Sequence, residues 1–166
     1  MDPRTESHRP PGASLARRSW LLAAAGALLL PAGRADAQRR DALVQVWKAA
    51  TCGCCHVWMD HMKAQGFRVE AFDVGNTAIR ARLGIADKLG SCHTALVDGY
   101  ALEGHVPARE VRRLLRERPQ AIGLVVPGMP IGSPGMDTGG YEGRMEPYDV
   151  LLLARDGSTS VYASYR

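Results

Sequence analysis

Alternating apolar and polar positions predict short strands separated by segments of helical period. Residues 43–48 alternate leucine and valine with glutamine and lysine, which predicts a strand. Over residues 54–65 the apolar positions recur at intervals of four and three, so we expect a helix with Thr51 as its N-cap and Gly66 as its stop. Residues 67–71 again alternate between apolar and polar side chains. The first half of this region is therefore expected to form a strand, a helix and a second strand.

The pattern further along the chain predicts two hairpins and two helices. A short helix is expected over 77–83, followed by a hairpin over 94–104, where two apolar runs flank an Asp-Gly dipeptide. Residues 107–118 predict a helix that opens on a proline and carries arginines on its solvated side. Glycine and proline dominate 127–147, which predicts a long loop, and 150–165 predicts a terminal hairpin.

The N-terminal segment has the features of a signal peptide. Arg17 and Arg18 precede an apolar run over 20–30, which is far shorter than the ~20 residues that span a bilayer. Small residues follow, so we expect cleavage after Ala37, no permanent membrane anchor, and a single mature domain over 38–166. The arginine pair is also similar to a twin-arginine signal, although paired arginines occur in ordinary export signals as well.

The charge of the mature chain argues against nucleic acid as a partner. The full sequence has a net charge of +4, and removal of residues 1–37 takes away five arginines and three acidic residues, which leaves +2. No basic stripe is interleaved with aromatic residues. We therefore look for function in individual side chains.

Four cysteines are the strongest chemical signal in the sequence. Cys52, Cys54 and Cys55 lie within four residues, and Cys92 follows later in the chain. An exported protein would ordinarily pair such cysteines in disulfides, but a relaxed disulfide needs Cα atoms about 5.5 Å apart, which disfavours adjacent or next-but-one pairs. Clustered thiols of this kind indicate metal or redox chemistry.

The position of the cysteines favours a soft metal ion. A helix N-terminus stabilises thiolates through its unpaired N–H groups and the positive end of its dipole. Soft thiolate ligands select Cu(I), zinc or iron–sulfur clusters. Structural zinc sites usually pair two Cys-x2-4-Cys knuckles, a pattern that is absent here, so copper fits better than zinc.

The order of elements resembles the thioredoxin fold, an α/β architecture. In that fold the loop before the third strand packs against the N-terminus of the cysteine-bearing helix. The resemblance implies that Ser91, Cys92 and His93 meet the first cysteine motif, so that all four sulfurs share one site. We expect a single thioredoxin-like domain with a C-terminal β-hairpin and a long Gly/Pro/Met-containing loop.

His93 joins the four cysteines as a candidate ligand, and other histidine and methionine side chains are secondary candidates for the site. His93 and His56 each follow a cysteine and are either ligands, neighbours that stabilise a thiolate, or polar surface. His105 precedes a helix and either caps it or faces the metal. Met129 and Met136 lie in the long loop, where their thioethers either capture Cu(I) or anchor the loop to the core.

Several spaced motifs together resemble the CopG-type periplasmic copper-resistance family. The resemblance extends over about residues 43–165. The motifs are Cys52-Gly53-Cys54-Cys55, Ser91-Cys92-His93-Thr94, Gly104-His105-Val106-Pro107, Gly128-Met129-Pro130 and Gly132-Ser133-Pro134-Gly135-Met136. The resemblance implies a periplasmic, thioredoxin-like protein that binds copper through the Cys-x-Cys-Cys and Cys-His motifs. It also implies a role in interconverting Cu(I) and Cu(II) during copper detoxification, alongside other periplasmic copper-handling proteins.

Two other functional classes use the same residues. Cys52 and Cys55 have the Cys-x-x-Cys spacing of a thiol–disulfide oxidoreductase, although Cys92 and His93 occupy the loop where such enzymes keep a proline. A copper buffer or chaperone would bind the ion without turnover. A redox enzyme and a buffer need the same thiolates, so metal binding is the prediction that they share.

Overall fold

Seven strands form one mixed sheet in the computed structural model, which describes residues 42–137, 140–141 and 143–166. The expected signal peptide, residues 1–37, lies outside the described residues. None of the helices in the described part of the chain has the length and apolar character needed to cross a bilayer.

The elements follow each other in the order that the sequence pattern predicts, with one additional strand and one 3-10 turn. The strands are β1 (Leu43–Lys48), β2 (Arg68–Phe72), β3 (His93–Val97), β4 (Tyr100–Glu103), β5 (Ala121–Val125), β6 (Tyr148–Ala154) and β7 (Thr159–Tyr165). The helices are α1 (Gly53–Ala64), α2 (Thr77–Arg82) and α3 (Ala108–Glu117), and the 3-10 turn is Asp87–Leu89.

The strand order in the sheet is β2-β1-β3-β4-β5-β6-β7. β1 runs parallel to β2 and antiparallel to β3, and β3 runs antiparallel to β4. β5 lies parallel to β4, and β6 and β7 extend the sheet as an antiparallel hairpin. The α/β class and the terminal hairpin are confirmed, and the closer likeness to thioredoxin stays a prediction.

The missed strand, β5, explains how the hairpin joins the sheet. It has only five residues, lies between Pro119 and Pro127, and contains Gly123, so its pattern is too short to predict a strand. A Cβ atom at Gly123 would overlap the backbone of Ala101 on β4, which is why this position needs a glycine. The close approach lets β5 pair with the buried strand β4.

The core lies between the sheet and the apolar sides of α1 and α3. Trp58, Met59 and Met62 of α1 are buried, as are Val111 and Leu114 of α3. These α1 and α3 positions recur at helical spacing, so one face of each helix is covered. Met59 and Met62, two of the apolar positions that predict α1, therefore belong to the core.

His61 of α1 contacts the start of α3. Its side chain is half-buried, and its Nε2 accepts a hydrogen bond of 3.3 Å from the backbone N–H of Ala108 at the start of α3. Burial, with a further contribution from Arg112, lowers the pKa of His61. His61 therefore satisfies one of the unpaired N–H groups at the helix end, because Pro107 precedes the helix and offers no side-chain cap.

Candidate metal centre

The first three cysteines lie where β1 turns into α1. The chain leaves β1 through a turn in which the Cys52 N–H donates to the Ala49 carbonyl at 3.1 Å. Cys52, in extended backbone conformation, is the N-cap residue of α1, which corrects the expectation of Thr51. Neither an acidic residue nor a side-chain cap occupies the first turn. The positive end of the helix therefore faces the sulfurs.

The fourth sulfur reaches this helix end from the loop before β3, as the order of elements predicts. Sγ of Cys92 lies 3.5 Å from Sγ of Cys55 and 3.7 Å from Sγ of Cys54. Sγ of Cys54 in turn lies 3.6 Å from Sγ of Cys52. The four sulfurs lie within 4.8 Å of one another, a spacing that suits ligands of a metal ion. Their ligation of a metal stays a prediction.

Two of the four sulfurs form a disulfide in this structure. Cys52 and Cys55 are bonded, with Cα atoms 5.4 Å apart, whereas Cys54 and Cys92 are free thiols. The required Cα separation disfavours adjacent and next-but-one pairs but allows the pair three residues apart, which one helical turn brings to bonding distance. The site therefore combines a disulfide with two free thiols in contact range.

Two buried histidines complete the site on the side of Cys92. Sγ of Cys92 lies 3.4 Å from Nδ1 of His93 and 3.1 Å from Nε2 of His105, and these three residues form a second group whose ligand atoms lie within 4.8 Å. Both rings are buried. Cys92 belongs to both groups, so the site is a continuous set of four sulfurs and two imidazoles.

His105 is held in one tautomer by the long loop. Its Nδ1 lies 2.8 Å from the Pro134 carbonyl oxygen, which can only accept, so Nδ1 donates the hydrogen. The lone pair of Nε2 is then directed towards Cys92. A backbone carbonyl that orients a histidine in this way is the usual outer partner of a metal-binding imidazole. His105 was a secondary candidate, and its contact with Cys92 is the shorter of the two histidine contacts.

Burial keeps both histidines neutral. It lowers the pKa of His93 well below its ordinary value, with a smaller contribution from His105, and it also lowers the pKa of His105. Neutral imidazole is the form that binds metals. Nδ1 of His93 is the ring nitrogen that faces Cys92, whereas its Nε2 is buried without a hydrogen-bond partner. The residues present thus fit a soft metal ion.

The surroundings of Cys92 favour its protonated thiol. Burial raises the pKa of Cys92 to about 12, and the neighbouring Cys54 contributes in the same direction. A helix end alone therefore does not supply a thiolate at this position. A metal ion would have to displace the proton, so binding should release protons to solvent.

The remaining candidates are His56, Met129 and Met136. His56 is exposed, and its Nδ1 lies 2.8 Å from the Cys52 carbonyl, outside both groups. Met129 is half-exposed and Met136 is partly buried in the long loop. The structure therefore does not bring His56 into the clusters, and the ligand role of both methionines stays a prediction.

A buried ionic network that the sequence analysis missed holds the Cys92 loop. Glu103 on β4 is fully buried and accepts hydrogen bonds from the Ser91 N–H at 2.7 Å and the Thr94 hydroxyl at 2.5 Å. Arg80 of α2 places Nε 3.2 Å from the carboxylate, and Asn76 donates to the Ser91 carbonyl. Burial raises the pKa of Glu103, whereas the hydrogen bonds from Thr94 and Ser91 and the charge of Arg80 act to lower it. The sequence signal for this network was one charged residue, Glu103, in an otherwise apolar strand.

The long loop covers the start of α1. Gly135 has φ +93°, and a Cβ atom there would lie 2.8 Å from the Cys54 carbonyl oxygen and 2.9 Å from the Trp58 nitrogen. The Ser91 hydroxyl also donates to the Gly128 carbonyl at 2.5 Å. The loop therefore contacts both of the segments that carry the cysteines.

We expect Gly135→Ala to lift this part of the loop from α1. The methyl group meets helix backbone and the positive φ is strained for alanine, so the free energy of unfolding should fall by about 1–3 kcal/mol. Faster alkylation of the free Cys54 would report the opening. Gly140→Ala is the matched control, since its φ is also +93° but nothing lies within 4 Å of its Cβ position. Equal alkylation rates in the two variants would contradict this account.

Comparisons with known proteins agree with this architecture. A family model described as a protein of unknown function, DUF411, matches residues 89–136. A solved structure of the copper resistance protein CopG, form 2, is 43% identical, with a TM-score of 0.70, and the match covers 76% of this chain and 99% of that one. Form 1 of the same protein is 44% identical, with a TM-score of 0.68, over 74% and 96% of the two chains. No curated protein matches the chain.

Fold and site together define an α/β protein with a cysteine–histidine cluster capable of binding a metal ion. Identity above 40% over three quarters of the chain then fixes the family. The chain belongs to the CopG copper-resistance family. This membership and the cysteine cluster support a copper-related role.

Proposed function

We propose that this protein is an exported copper-binding protein that holds Cu(I) through Cys52, Cys54, Cys55 and Cys92 with a neighbouring histidine. The single observation that carries the proposal is the composition of the two ligand groups, which contain four sulfurs, two imidazoles and no carboxylate. Such soft donors favour Cu(I) over hard cations. Of the histidines, His93 and His105 are both neutral and adjacent to Cys92.

The Cys52–Cys55 pair would couple copper binding to the redox state of the protein. As a disulfide the two sulfurs are poor ligands, and uptake of two electrons converts them into thiolates. Interconversion of Cu(I) and Cu(II) moves one electron per ion. Oxidation of two Cu(I) ions would therefore balance reduction of one disulfide to two thiolates. This balance is the chemical basis for a redox role beyond storage.

The first test is an anaerobic titration of the mature protein with Cu(I) against a competing chromophoric chelator. The dithiol form should bind Cu(I) at least about tenfold more tightly than the disulfide form, because oxidation removes two soft donors. Cu(I) binding should also release protons, because the Cys92 thiol loses its proton. Failure of the dithiol form to compete for Cu(I) would contradict the proposal.

The location is part of the proposal. Residues 1–37 are proposed as a cleaved signal peptide that delivers residues 38–166 to the periplasm, where other copper-handling proteins would exchange the ion. N-terminal sequencing of the protein recovered from a periplasmic fraction should begin just after Ala37. An intact N-terminus in the cytoplasm would contradict export.

The disulfide itself favours a second candidate, a thiol–disulfide oxidoreductase that uses Cys52 and Cys55. The pair is bonded at a helix start, the usual position of such a redox couple. The free thiol of Cys92 lies 3.5 Å from Cys55 and would compete with an incoming substrate thiol. Insulin reduction that persists in Cys92→Ser and is unaffected by copper would support this candidate.

A further inference from the structure

We propose that the exposed side of α3 is a docking surface for an acidic segment of a partner protein. Four arginines and two tyrosines define this surface, which we call the arginine face. They are Arg109, Arg112, Arg113, Arg116, Tyr162 and Tyr165. The proposal does not depend on copper binding, since none of these residues belongs to the cysteine site.

The arginines form one stripe along the helix. Their spacing is i, i+3, i+4 and i+7, so successive side chains lie on the same face of α3. Like charges at these spacings repel and destabilise an isolated helix. A solvated helix face needs no such concentration of one charge. The stripe therefore indicates that a negatively charged group offsets the repulsion.

The protein's own carboxylates offset only half of this charge. Arg109 pairs with Glu110 at 2.6 Å, and Arg113 pairs with Glu117 at 2.7 Å. Arg112 instead donates to the side chain and backbone carbonyls of Gln65, which are uncharged. In the described part of the chain, neither Arg112 nor Arg116 forms a salt bridge. Two guanidinium charges thus remain for a partner.

Aromatic rings hold three of the guanidinium groups in place. Arg113 lies 4.0 Å from the ring centroid of Tyr162, Arg109 lies 5.0 Å from that of Tyr165, and Arg112 lies 5.6 Å from that of Phe67. Arg109 and Arg113 each use Nε for a glutamate, so their Nη2 groups can still donate to a carboxylate, whereas both Nη groups of Arg112 already donate to Gln65. Because the side chains are already ordered, binding costs less conformational entropy.

The arginine face is a shallow, open groove. A groove of about 460 Å³ runs between α3 and β7, and Arg109 separates it from a second groove of about 340 Å³ that is lined by His61, Tyr148 and Tyr165. Arginine and tyrosine are the residues that most often anchor protein interfaces. The shape and composition suit an extended chain that carries carboxylates.

Two other occupants fit less well. A second copy of this protein would bring an identical arginine stripe against the first, and the charges would repel. Strand addition at the sheet edge is hindered because β7 carries a bulge and its Tyr162 carbonyl already accepts a hydrogen bond from Arg113. An anionic membrane favours protruding side chains over guanidinium groups stacked inside a groove.

The test is fluorescence anisotropy with a labelled peptide of alternating glutamate and alanine, added to the copper-free protein at low salt. We expect saturable binding that weakens as salt is raised, because surface charges are screened. Arg112→Gln with Arg116→Gln should raise the dissociation constant by about tenfold or more. The matched control is Arg82→Gln with Arg155→Gln, which removes the same charge from exposed positions outside the face and should leave the constant unchanged.

The outcomes separate the possible occupants. Equal loss of binding in both double variants would show a general charge effect and overturn the proposal, as would the absence of saturable binding. Binding to vesicles that contain phosphatidylglycerol, without binding to the peptide, would assign the face to a membrane instead. Displacement of the peptide by equimolar inorganic phosphate would assign it to a small anion. An unchanged circular dichroism spectrum and unfolding midpoint in the Arg112/Arg116 variant would confirm that its fold is intact.

Discussion

Replacing Cys92 with serine is expected to lower the affinity for Cu(I) by more than about a hundredfold, since loss of even an outer partner of a metal ligand costs 10–100-fold. Cys92 is the only residue common to both ligand groups, and its sulfur contacts Cys54, Cys55 and His105. Serine has a similar size but its hydroxyl is a hard, weakly acidic donor. Competition with a chromophoric chelator under anaerobic conditions gives the affinity.

The matched control for this variant is His56→Asn. His56 is exposed and outside both groups, so its loss should change the Cu(I) affinity by less than the experimental scatter. Circular dichroism should show an intact fold in both variants. A Cys92→Ser protein with unchanged affinity and stoichiometry would remove Cys92 from the metal site.

Replacing Glu103 with alanine is expected to lower the free energy of unfolding by about 3–5 kcal/mol, the range for breaking a buried ion pair by removing one partner. The change leaves the Arg80 guanidinium without its buried counter-charge and the Ser91 N–H and Thr94 hydroxyl without their acceptor. Chemical denaturation measured by fluorescence gives the stability.

Two further variants make this result specific. Glu70→Ala removes an exposed glutamate and should change stability by no more than about 0.5 kcal/mol. Glu103→Gln keeps an acceptor for Ser91 and should recover part of the loss. Because the network fixes the loop that carries Cys92, Glu103→Ala should also weaken Cu(I) binding when measured well below its unfolding midpoint. A stability change below 1 kcal/mol would show that Glu103 is not needed.

The sequence predicted the site better than its surroundings. The cysteine motif, the helix after it and the later Cys-His pair each have a local signal, and the order of elements was enough to bring Cys92 to the helix start. His105 was ranked below His93 in the sequence. The proximity of His105 to Cys92 depends on the carbonyl of Pro134, a tertiary contact that spacing does not reveal.

Other features depend on contacts between distant segments. β5 was missed because a strand of five residues has little periodicity. Its position in the sheet is fixed by pairing with β4 and β6. The Glu103 network unites residues from α2, β3 and β4, and only the folded sheet brings them together. The sequence has no local signal for the contact of His61 with the N-terminus of α3, because the two are 47 positions apart.

The long loop that fixes His105 has a consequence for where the protein can acquire metal. Cys54 and Cys92 are separated by 38 positions, and His105 and Pro134 by 29, so the proposed ligand set is assembled from non-local contacts. Non-local contacts form late in folding, and the partly folded chain lacks a complete binding site. A chain threaded unfolded through a translocon would therefore have to be loaded at its destination. A chain exported in its native state would instead be able to carry copper out of the cell with it.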